Sequence, residues 1–376
     1  MNTKTLLKMC AYRNIPLGYS EAYELGEFVL RGCAGGDPLA QIQSTAILCA
    51  LHNRATYAWR SNGQDGLPRS AAEQIAGLCQ AIFDGDIAPS QFGFLRPDSP
   101  VGDCIGMGGD LLLTPNVSTL ASLLAAAGGV PMCKHGSPAN ADAGRHGSSD
   151  FIADLGINGY APREAVETCL RNCGFGYTEA LDTRYKHIHV QTHGFAQLPH
   201  MNDLLGPLTN PVSPESLDFK IVGCNHLVPP RVVAEAMGIL FPGLRCGLAI
   251  RGGGDVPEEG IDEVSISATG TEVAEVRDGQ VREYVLRPAD FGLVPVPAEF
   301  FSPPPGVTKG ELSRRILWGE LPDHPAEQLV LANAAVIFKV AGRAATWQEG
   351  YRLATEIQAR RGGLELAQKV ASQVPL

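Results

Sequence analysis

The sequence lacks the features of a membrane or secreted protein. No stretch reaches 18 apolar residues without a charged or turn-forming residue, so a membrane-spanning helix is not expected. The first residues, MNTKTLLKMCAYRN, contain one short apolar pair and no signal-peptide core. We therefore expect a cytoplasmic protein that does not use the membrane as a partner.

Basic residues are the scarcer charged type. Lys and Arg number 30 against 40 Asp and Glu, which gives a formal net charge of -10. Binding of duplex nucleic acid needs a basic protein face, so nucleic acid is not expected as a partner. A local basic pocket for phosphate groups is still compatible with this sequence, because net charge does not describe local patches.

The sequence also lacks paired cysteine motifs. Its ten cysteines are scattered, mostly within apolar runs, and Cys169 and Cys173 alone show a helical i, i+4 spacing without a second pair. This pattern favours buried, reduced thiols over zinc ligands or disulfides.

The composition is that of a globular protein, with 44% hydrophobic and 19% charged residues. Residues 1–97 are predicted to be helical without a strand, whereas residues 98–376 alternate short β-prone runs with Ala-rich helices. The prediction is therefore an α/β protein, with a small N-terminal helical domain (1–97) beside a larger α/β domain (98–376).

Periodicity and turn residues predict the individual elements. The predicted helices are Ser20–Arg31, Ala40–His52, Ala71–Phe83, Val117–Ala127, Arg163–Asn172 and the chain from Ala326 onward, with a turn-rich loop at Ser61–Ser70. The predicted strands are Gly129–Cys133, Phe219–Cys224, Gly247–Arg251 and Glu263–Ala268, with a hairpin over Gly270–Arg287.

The first chemical signal is GMGGD at residues 106–110, followed by NVST at residues 116–119. Three glycines in four positions let the backbone approach a ligand closely. The polar residues then open an Ala-rich helix, and free N–H groups at a helix start favour an anion. A plain glycine turn with an N-cap is the alternative.

Two further stretches carry charge beside glycine. KHG at residues 134–136 and GSSD at residues 147–150 offer a lysine, hydroxyls and backbone N–H groups, which are the materials of a phosphate cradle; a solvated loop is the alternative. GIDEVS at residues 260–265 places Asp262 beside Glu263. Mg²⁺ prefers one or two carboxylates with phosphate oxygens and water, although a plain acidic turn would have the same sequence.

These motifs occur together with NDLLGPLTNP at residues 202–211, in the order found in anthranilate phosphoribosyltransferases. The chain resembles that family, whose usual forms are GTGGD with NIST, KHG with GSAD, NLLGPLTNP and GLDE. The resemblance covers about 300 residues or more, and the combination is specific. Class II nucleoside phosphorylases share the fold and a glycine-rich phosphate loop, but lack the GPLTNP turn and the DE pair in this form.

The resemblance implies a fold and an activity. A small helical domain, joined by about residues 186–211, would pack on an α/β domain with a central mixed sheet, and the active site would lie in the cleft between them. The implied reaction transfers 5-phosphoribosyl from phosphoribosyl pyrophosphate to the nitrogen of an aromatic or heterocyclic acceptor, with Mg²⁺ as cofactor and release of pyrophosphate. Family members are commonly homodimers and belong to tryptophan biosynthesis.

The family's site residues carry over onto the matching motifs. Donor binding is implied for Gly106, Gly108, Gly109, Asp110, Asn116, Ser118, Thr119, Lys134 and Ser148. The Ser118 hydroxyl with Asp262 and Glu263 would hold magnesium. Lys134, Asp262 and Glu263 form the expected catalytic set, because neutralising the leaving pyrophosphate lowers the barrier without a protein nucleophile.

The acceptor half departs from the family pattern. Ser137 replaces an asparagine, Asp182 replaces a substrate-contacting histidine, and Thr192 or His193 stands where an arginine binds the anthranilate carboxylate. Arg184 lies close in sequence and could replace that arginine. The predicted acceptor-binding residues are His135, Ser137, Asp182, Arg184 and His193.

Three functions remain at this point. A carboxylate at position 182 favours an acceptor that offers N–H donors, such as an amino-substituted heterocycle, over an anionic benzoate. An authentic anthranilate enzyme with shifted contacts is the first alternative. A non-catalytic relative that binds nucleotides or nucleic acid is the second, and the intact Lys134, Asp262 and Glu263 argue against it.

Overall fold

A computed structural model describes residues 5, 8, 17–58, 60–62, 68–85, 94–110, 112–137, 146–179, 201–256 and 260–376. It is a mixed α/β structure, as predicted. Within these residues, no helix is both long enough and apolar enough to cross a membrane.

The amino-terminal part is built from helices, as the periodicity predicted. They are α1 (Tyr19–Ala34), α2 (Pro38–Thr56) and α3 (Ala71–Gly85). The Asp37 carboxylate accepts the Leu39 N–H at 3.0 Å, and Pro38 occupies the first helical position, so α2 begins where sequence rules place a start.

The prediction that this region contains no strand is wrong. At the two ends of the predicted loop, β1 (Arg60–Asn62) and β2 (Pro68–Ser70) pair in antiparallel register. Strands of three residues are too short to show the apolar alternation on which the prediction relied.

The central sheet is mixed and has seven strands in the order β5-β4-β3-β6-β7-β8-β9. They are β3 (Val101–Gly106), β4 (Met132–His135), β5 (Phe175–Thr178), β6 (Leu217–Gly223), β7 (Cys246–Gly252), β8 (Thr271–Arg277) and β9 (Gln280–Leu286). The strands from β5 to β7 are parallel, and β8 and β9 form the predicted antiparallel hairpin.

Helices cover both faces of this sheet. The remaining ones are α4 (Val117–Ala127), α5 (Ser148–Asp154), α6 (Arg163–Cys173), α7 (Asn202–Leu208), α8 (Pro230–Leu240), α9 (Lys309–Leu317), α10 (Pro325–Val340), α11 (Trp347–Ala359) and α12 (Gly362–Gln373). One apolar core joins α4, α5 and α9–α12 to the sheet, and the other joins α1–α3, α7 and α8 to it. The domain boundary near residue 97 stays a prediction.

Two predicted strands need correction. The strand predicted at Gly129–Cys133 lies at Met132–His135, because Gly129 adopts a positive φ of 84° after the end of α4. The strand predicted at Glu263–Ala268 is not formed: Val264 and Ile266 are buried, but the N–H of Val264 is bound by the side chain of Asn333 at 2.9 Å. A side-chain oxygen thus accepts the backbone N–H that a neighbouring strand would otherwise bind. The alternation of apolar and polar residues in the sequence does not reveal this.

Burial of the cysteines is confirmed for most of those described. Of the eight cysteines whose side chains the structure describes, all of them free, Cys49 is half-buried and the other seven are buried.

Candidate active site

The strand order identifies one edge of the sheet as the place for a ligand. From β3 the chain proceeds outward to β4 and β5, and then returns to β6 and β7 on the other side of β3. In open α/β sheets, ligands bind outside the carboxyl ends of the strands at such a switch point. Here that point lies beyond Gly106 at the end of β3 and Gly223 at the end of β6.

Three strands end in glycine because the turn containing Asp262 lies directly on them. An added Cβ would lie 2.0 Å from Asp262 Oδ2 at Gly106 and 1.6 Å from the Asp262 carbonyl oxygen at Gly223. At Gly252, the end of β7, it would lie 2.4 Å from the Glu263 carbonyl oxygen. The close approach places Asp262 and Glu263 at the switch point.

Three carboxylates converge there. Asp110, Asp262 and Glu263 each offer an oxygen within 4.8 Å of the others, and each residue is 8% exposed. The Asp262 N–H donates to Asp110 Oδ2 at 2.9 Å, and the Gly108 N–H donates to Asp262 Oδ2 at 2.6 Å. The predicted pair is therefore joined to the glycine loop, and Asp110, assigned from sequence to donor binding, is a third acidic member of this cluster.

The electrostatics of the cluster fit a divalent cation. Burial, and then repulsion from Asp262, raises the pKa of Asp110 well above its ordinary value. The same two causes raise the pKa of Glu263. Three buried carboxylates this close oppose one another's ionisation unless a cation neutralises them, and Mg²⁺ takes oxygen ligands of this type.

Replacing Asp110 by Asn is expected to stabilise the metal-free protein by about 1–2 kcal/mol at pH 8, because it removes one repelling charge. A carboxyl whose pKa is raised by folding stabilises the fold while protonated, and that contribution is lost as the pH rises through the raised pKa. The gain should therefore be larger at pH 8 than at pH 5.

Thermal unfolding with a chelator, at both pH values, measures this gain. Added Mg²⁺ should stabilise the wild type more than Asp110→Asn. An equal response of both proteins to Mg²⁺ would show that Asp110 takes no part in metal binding.

The glycine loop has the conformation that its sequence requires. Gly108 and Gly109 have φ values of 72° and 80°, a left-handed region that glycine enters without strain. Asn225, just after β6, donates its side-chain amide to the Gly108 carbonyl at 3.4 Å. Sequence reasoning did not single out Asn225, because no local pattern links it to a loop 117 residues away.

Helix α4 begins at this loop, as predicted from NVST. Asn116 is its N-cap residue, but its side chain makes no capping hydrogen bond. Ser118 and Thr119 lie in the first turn, and within the described parts of the chain the buried Thr119 hydroxyl has no partner. The start of α4 therefore offers unused N–H groups to an anion. Coordination of a metal by Ser118 stays a prediction.

Lys134 lies inside β4, not after it, and is fully buried. Its ammonium group donates to the carbonyl oxygens of Cys104 at 3.2 Å and of His135 at 3.3 Å. Burial lowers the pKa of Lys134, and the negative charges around it, including Asp262, oppose that shift. Lys134 thus interacts electrostatically with Asp262, and its predicted binding of the donor stays a prediction.

The KHG and GSSD segments meet at the next strand ends. An added Cβ at Gly136 would lie 2.7 Å from Ser148 Cβ, and the Ser149 N–H donates to the Ser137 carbonyl at 3.3 Å. Ser137 itself is exposed. These contacts bring the two segments together, and donor binding by Ser148 and acceptor binding by Ser137 stay predictions.

His135 is only 4% exposed, although the sequence predicted that it binds the acceptor. Its Nδ1 lies 3.5 Å from Asp103 Oδ1, and its Nε2 lies 3.1 Å from the Gly206 carbonyl oxygen. The ring thus connects β3 to the GPLTNP turn, and acceptor binding by His135 stays a prediction. Asp182, Arg184, Thr192 and His193 lie outside the described residues.

Asp103 is the centre of a buried polar network that sequence reasoning missed. The fully buried Lys220 pairs with its carboxylate, and Asn210 of the GPLTNP turn donates to the same oxygen at 2.7 Å. Burial opposes ionisation of Asp103, but Lys220 and His135 outweigh it and hold the pKa of this carboxyl well below its usual range. The network fixes the turn against β3 and β6.

Comparisons with known proteins agree with this geometry. Residues 98–362 match the family described as "Glycosyl transferase family, a/b domain". An anthranilate phosphoribosyltransferase of Aeromonas salmonicida is 32% identical over 303 residues, which covers 80% of this chain and 83% of that protein. One from Methanopyrus kandleri is 33% identical over 340 residues, with 89% and 91% covered.

The chain belongs to the anthranilate phosphoribosyltransferase family. It is therefore a glycosyltransferase of the pentosyltransferase class. A crystal structure of a family member from Thermus thermophilus, 27% identical, matches with a TM-score of 0.75 and covers 98% of this chain and 99% of its own. The yeast enzyme in complex with PRPP and Mg has the same fold, with a TM-score of 0.77 at 21% identity and coverage of 99% and 97%.

Proposed function

We propose that this member of the family binds phosphoribosyl pyrophosphate with Mg²⁺ at the switch point. It then transfers the 5-phosphoribosyl group to the nitrogen of a small aromatic or heterocyclic amine and releases pyrophosphate. The observation that carries the proposal is the cluster of Asp110, Asp262 and Glu263, joined to the glycine loop by the Gly108 N–H at 2.6 Å. The yeast enzyme of this fold, solved with PRPP and Mg, supports the same pairing of donor and metal.

The described residues match the chemistry of such a transfer. Breaking the bond between ribose C1 and the pyrophosphate oxygen leaves negative charge on the pyrophosphate and positive character on the ribose. The three carboxylates would hold Mg²⁺, which would supply neutralising charge to the leaving group. The glycine loop and the start of α4 would hold the diphosphate with N–H groups, and the buried Lys134, which interacts with the charge of Asp262, would add positive charge to the site. Positioning supplies much of the remaining rate enhancement, and no side chain needs to attack the ribose.

The residues predicted to bind the acceptor depart from the family's usual pattern, and we propose that anthranilate is a poor substrate. Recognition of a planar carboxylate favours an arginine fork, and Thr192 or His193 stands in its place. Asp182 adds negative charge: two carboxylates about 5 Å apart repel by roughly 3 kcal/mol at an effective dielectric near 20, equivalent to about a hundredfold in rate. An acceptor with N–H donors would instead be attracted.

The test is kcat/KM for anthranilate and for a panel of amino-substituted heterocycles, read as pyrophosphate release with saturating donor and Mg²⁺. Anthranilate turnover is expected to lie about a hundredfold or more below the usual enzyme range of about 10⁵ M⁻¹s⁻¹. Efficient turnover would favour the second candidate, an authentic anthranilate enzyme, which is the name of the curated relatives. If Arg184→Ala then abolished that turnover, Arg184 would be the substitute for the missing arginine.

We also propose a homodimer that uses the outer face of α2. In the part of the chain that the structure describes, Leu39 and Ile42 of α2 leave 61% and 54% of their surface exposed, and Tyr57, directly after the helix, leaves 84% exposed. Exposed apolar side chains at helical spacing are typical of a helix that packs against a partner, and a second copy of this chain is the partner we expect.

Ile42→Asp is expected to shift the protein from dimer to monomer, because it buries an unpaired charge in that interface. Light scattering at micromolar concentration measures the change. Ile239→Asp, at an exposed position on α8, is the matched control and should remain dimeric. A monomeric wild type would refute the proposal.

A further inference from the structure

Asn116 precedes α4 but does not cap it. Asparagine is among the best N-cap residues, because its side-chain oxygen usually accepts an N–H from the first turn. Here the side chain makes no such bond. Its amide nitrogen instead lies 3.2 Å from Ser313 Oγ and 3.4 Å from His146 Nδ1.

Ser313 fixes the orientation of that amide. The Ser313 hydroxyl donates its one hydrogen to the Lys309 carbonyl at 2.8 Å, so its oxygen can only accept from Asn116. It accepts both the Asn116 backbone N–H, at 2.8 Å, and the side-chain amide. The group that faces Ser313 must therefore be the amide nitrogen, and the carboxamide oxygen is turned away from it.

His146 holds the same nitrogen from another side. Its Nε2 lies 2.9 Å from the Asp154 carboxylate, so the ring proton belongs on Nε2 and Nδ1 is free to accept from Asn116. The His146 ring packs against α9, where a Cβ added to Gly310 would lie 3.2 Å from ring atoms. The ring also contacts Phe151 edge-on, with the two ring centroids 6.3 Å apart. Residues of α5 and α9 thus fix the ring and, through it, the Asn116 amide.

We propose that His146 and Ser313 are positioning residues of the donor site. They hold the Asn116 side chain away from the amino end of α4, which leaves the N–H groups of Ser118 and Thr119 open to a phosphate group of the donor. Thr119, in the first turn of the same helix, has a buried hydroxyl without a partner within the described residues, so this turn holds a further polar group that a ligand could satisfy. The inference rests on the proposed function, because it assigns the diphosphate to this helix start.

Two variants test the proposal, and both act on the side chain of Asn116. His146→Ala and Ser313→Ala each release the Asn116 amide, which can then cap α4 and compete with the phosphate. By calorimetry, the affinity for pyrophosphate in the presence of Mg²⁺ should fall about tenfold in each, as expected when a charge-assisted hydrogen bond is lost. His146→Gln should restore most of the affinity, since an amide can accept from Asn116 and donate to Asp154.

The decisive comparison repeats both changes in an Asn116→Ala background. Alanine cannot cap the helix, so His146→Ala and Ser313→Ala should produce no further loss of affinity there. His324→Ala, which removes a histidine that accepts the Ala326 N–H at the start of α10, is the matched control and should bind pyrophosphate like the wild type.

Two results would overturn the inference: wild-type affinity in both single variants, or an equal loss with and without Asn116. Circular dichroism identifies a variant that has not folded, and the other single variant then carries the comparison. A wild type that does not bind phosphoribosyl pyrophosphate would defeat the proposed function itself. A wild type that binds it, without coupling to Asn116, would defeat this inference alone.

Discussion

Replacing Asp262 by Asn and Glu263 by Gln in one variant is expected to reduce phosphoribosyl transfer by on the order of a thousandfold. Both substitutions keep the size of the side chain and remove its charge, so Mg²⁺ loses the ligands that hold it at the switch point. The fold should survive, because the Asp262 bond to Asp110 comes from its backbone N–H and because Asn can still accept from Gly108.

Pyrophosphate release with phosphoribosyl pyrophosphate, Mg²⁺ and the acceptor panel measures this loss. Glu356→Gln with Glu365→Gln is the matched control, since it removes two exposed carboxylates from α11 and α12. The control should keep its activity within about twofold, as surface substitutions usually do. Unchanged turnover in the Asp262 and Glu263 variant would show that the metal is held elsewhere.

Replacing Lys220 by Met is expected to destabilise the protein by about 3–5 kcal/mol, the usual effect of breaking a buried ion pair by removing one partner. Lys220 and Asp103 are both fully buried, so the substitution leaves a carboxylate with Asn210 and His135 as its remaining neighbours. The GPLTNP turn and the KHG strand should loosen together, because both are bonded to Asp103.

Urea unfolding measures this loss, and its pH dependence has a defined sign. A carboxyl whose pKa is lowered by folding stabilises the protein above its unfolded pKa, and this contribution is lost as the pH falls through the folded value. In Lys220→Met the burial of Asp103 is no longer opposed by Lys220, so this carboxyl takes up a proton more readily than in the wild type, and the difference between the two proteins should shrink as the pH falls from about 8 towards about 4. Asp103→Asn with Lys220→Met should recover most of the stability, since no unpaired charge remains. If Lys220→Met lowered the free energy of unfolding by less than about 1 kcal/mol, the pair of Lys220 and Asp103 would contribute little net stability, and the prediction would be wrong.

Much of the fold could be predicted from local patterns. Helices α2 and α4 and the β8-β9 hairpin follow from apolar periodicity and from turn residues such as Asp278-Gly279. The family resemblance implied that the glycine loop and Asp262 serve one donor site, and the structure adds the hydrogen bond between Gly108 and Asp262. The structure also explains the three glycines at strand ends. Asp262 and Glu263 lie so close to them that a side chain would clash, which the sequence alone does not reveal.

The remaining features depend on contacts between distant residues. Asp110 faces Asp262 across 152 positions, and Asn116 meets Ser313 across 197, so no local pattern records either contact. In the sequence, Lys220 only interrupts an apolar strand. The structure explains it, because Lys220 forms a buried ion pair with Asp103. Residues 263–268 alternate apolar and polar side chains as a strand does, but form none. Their apolar side chains are buried in the core, and side chains of Asn333 and Thr271 accept the backbone N–H groups of Val264 and Ser265.

The most direct test of a metal-dependent donor site is a calorimetric titration of the wild-type protein with phosphoribosyl pyrophosphate, once with Mg²⁺ and once with a chelator. With Mg²⁺, one donor molecule should bind to each chain, and with the chelator binding should fall by at least about a hundredfold, because the carboxylates then repel the diphosphate. Equal affinity under both conditions, or no binding with Mg²⁺, would contradict the assignment of Asp110, Asp262 and Glu263 to the donor's metal.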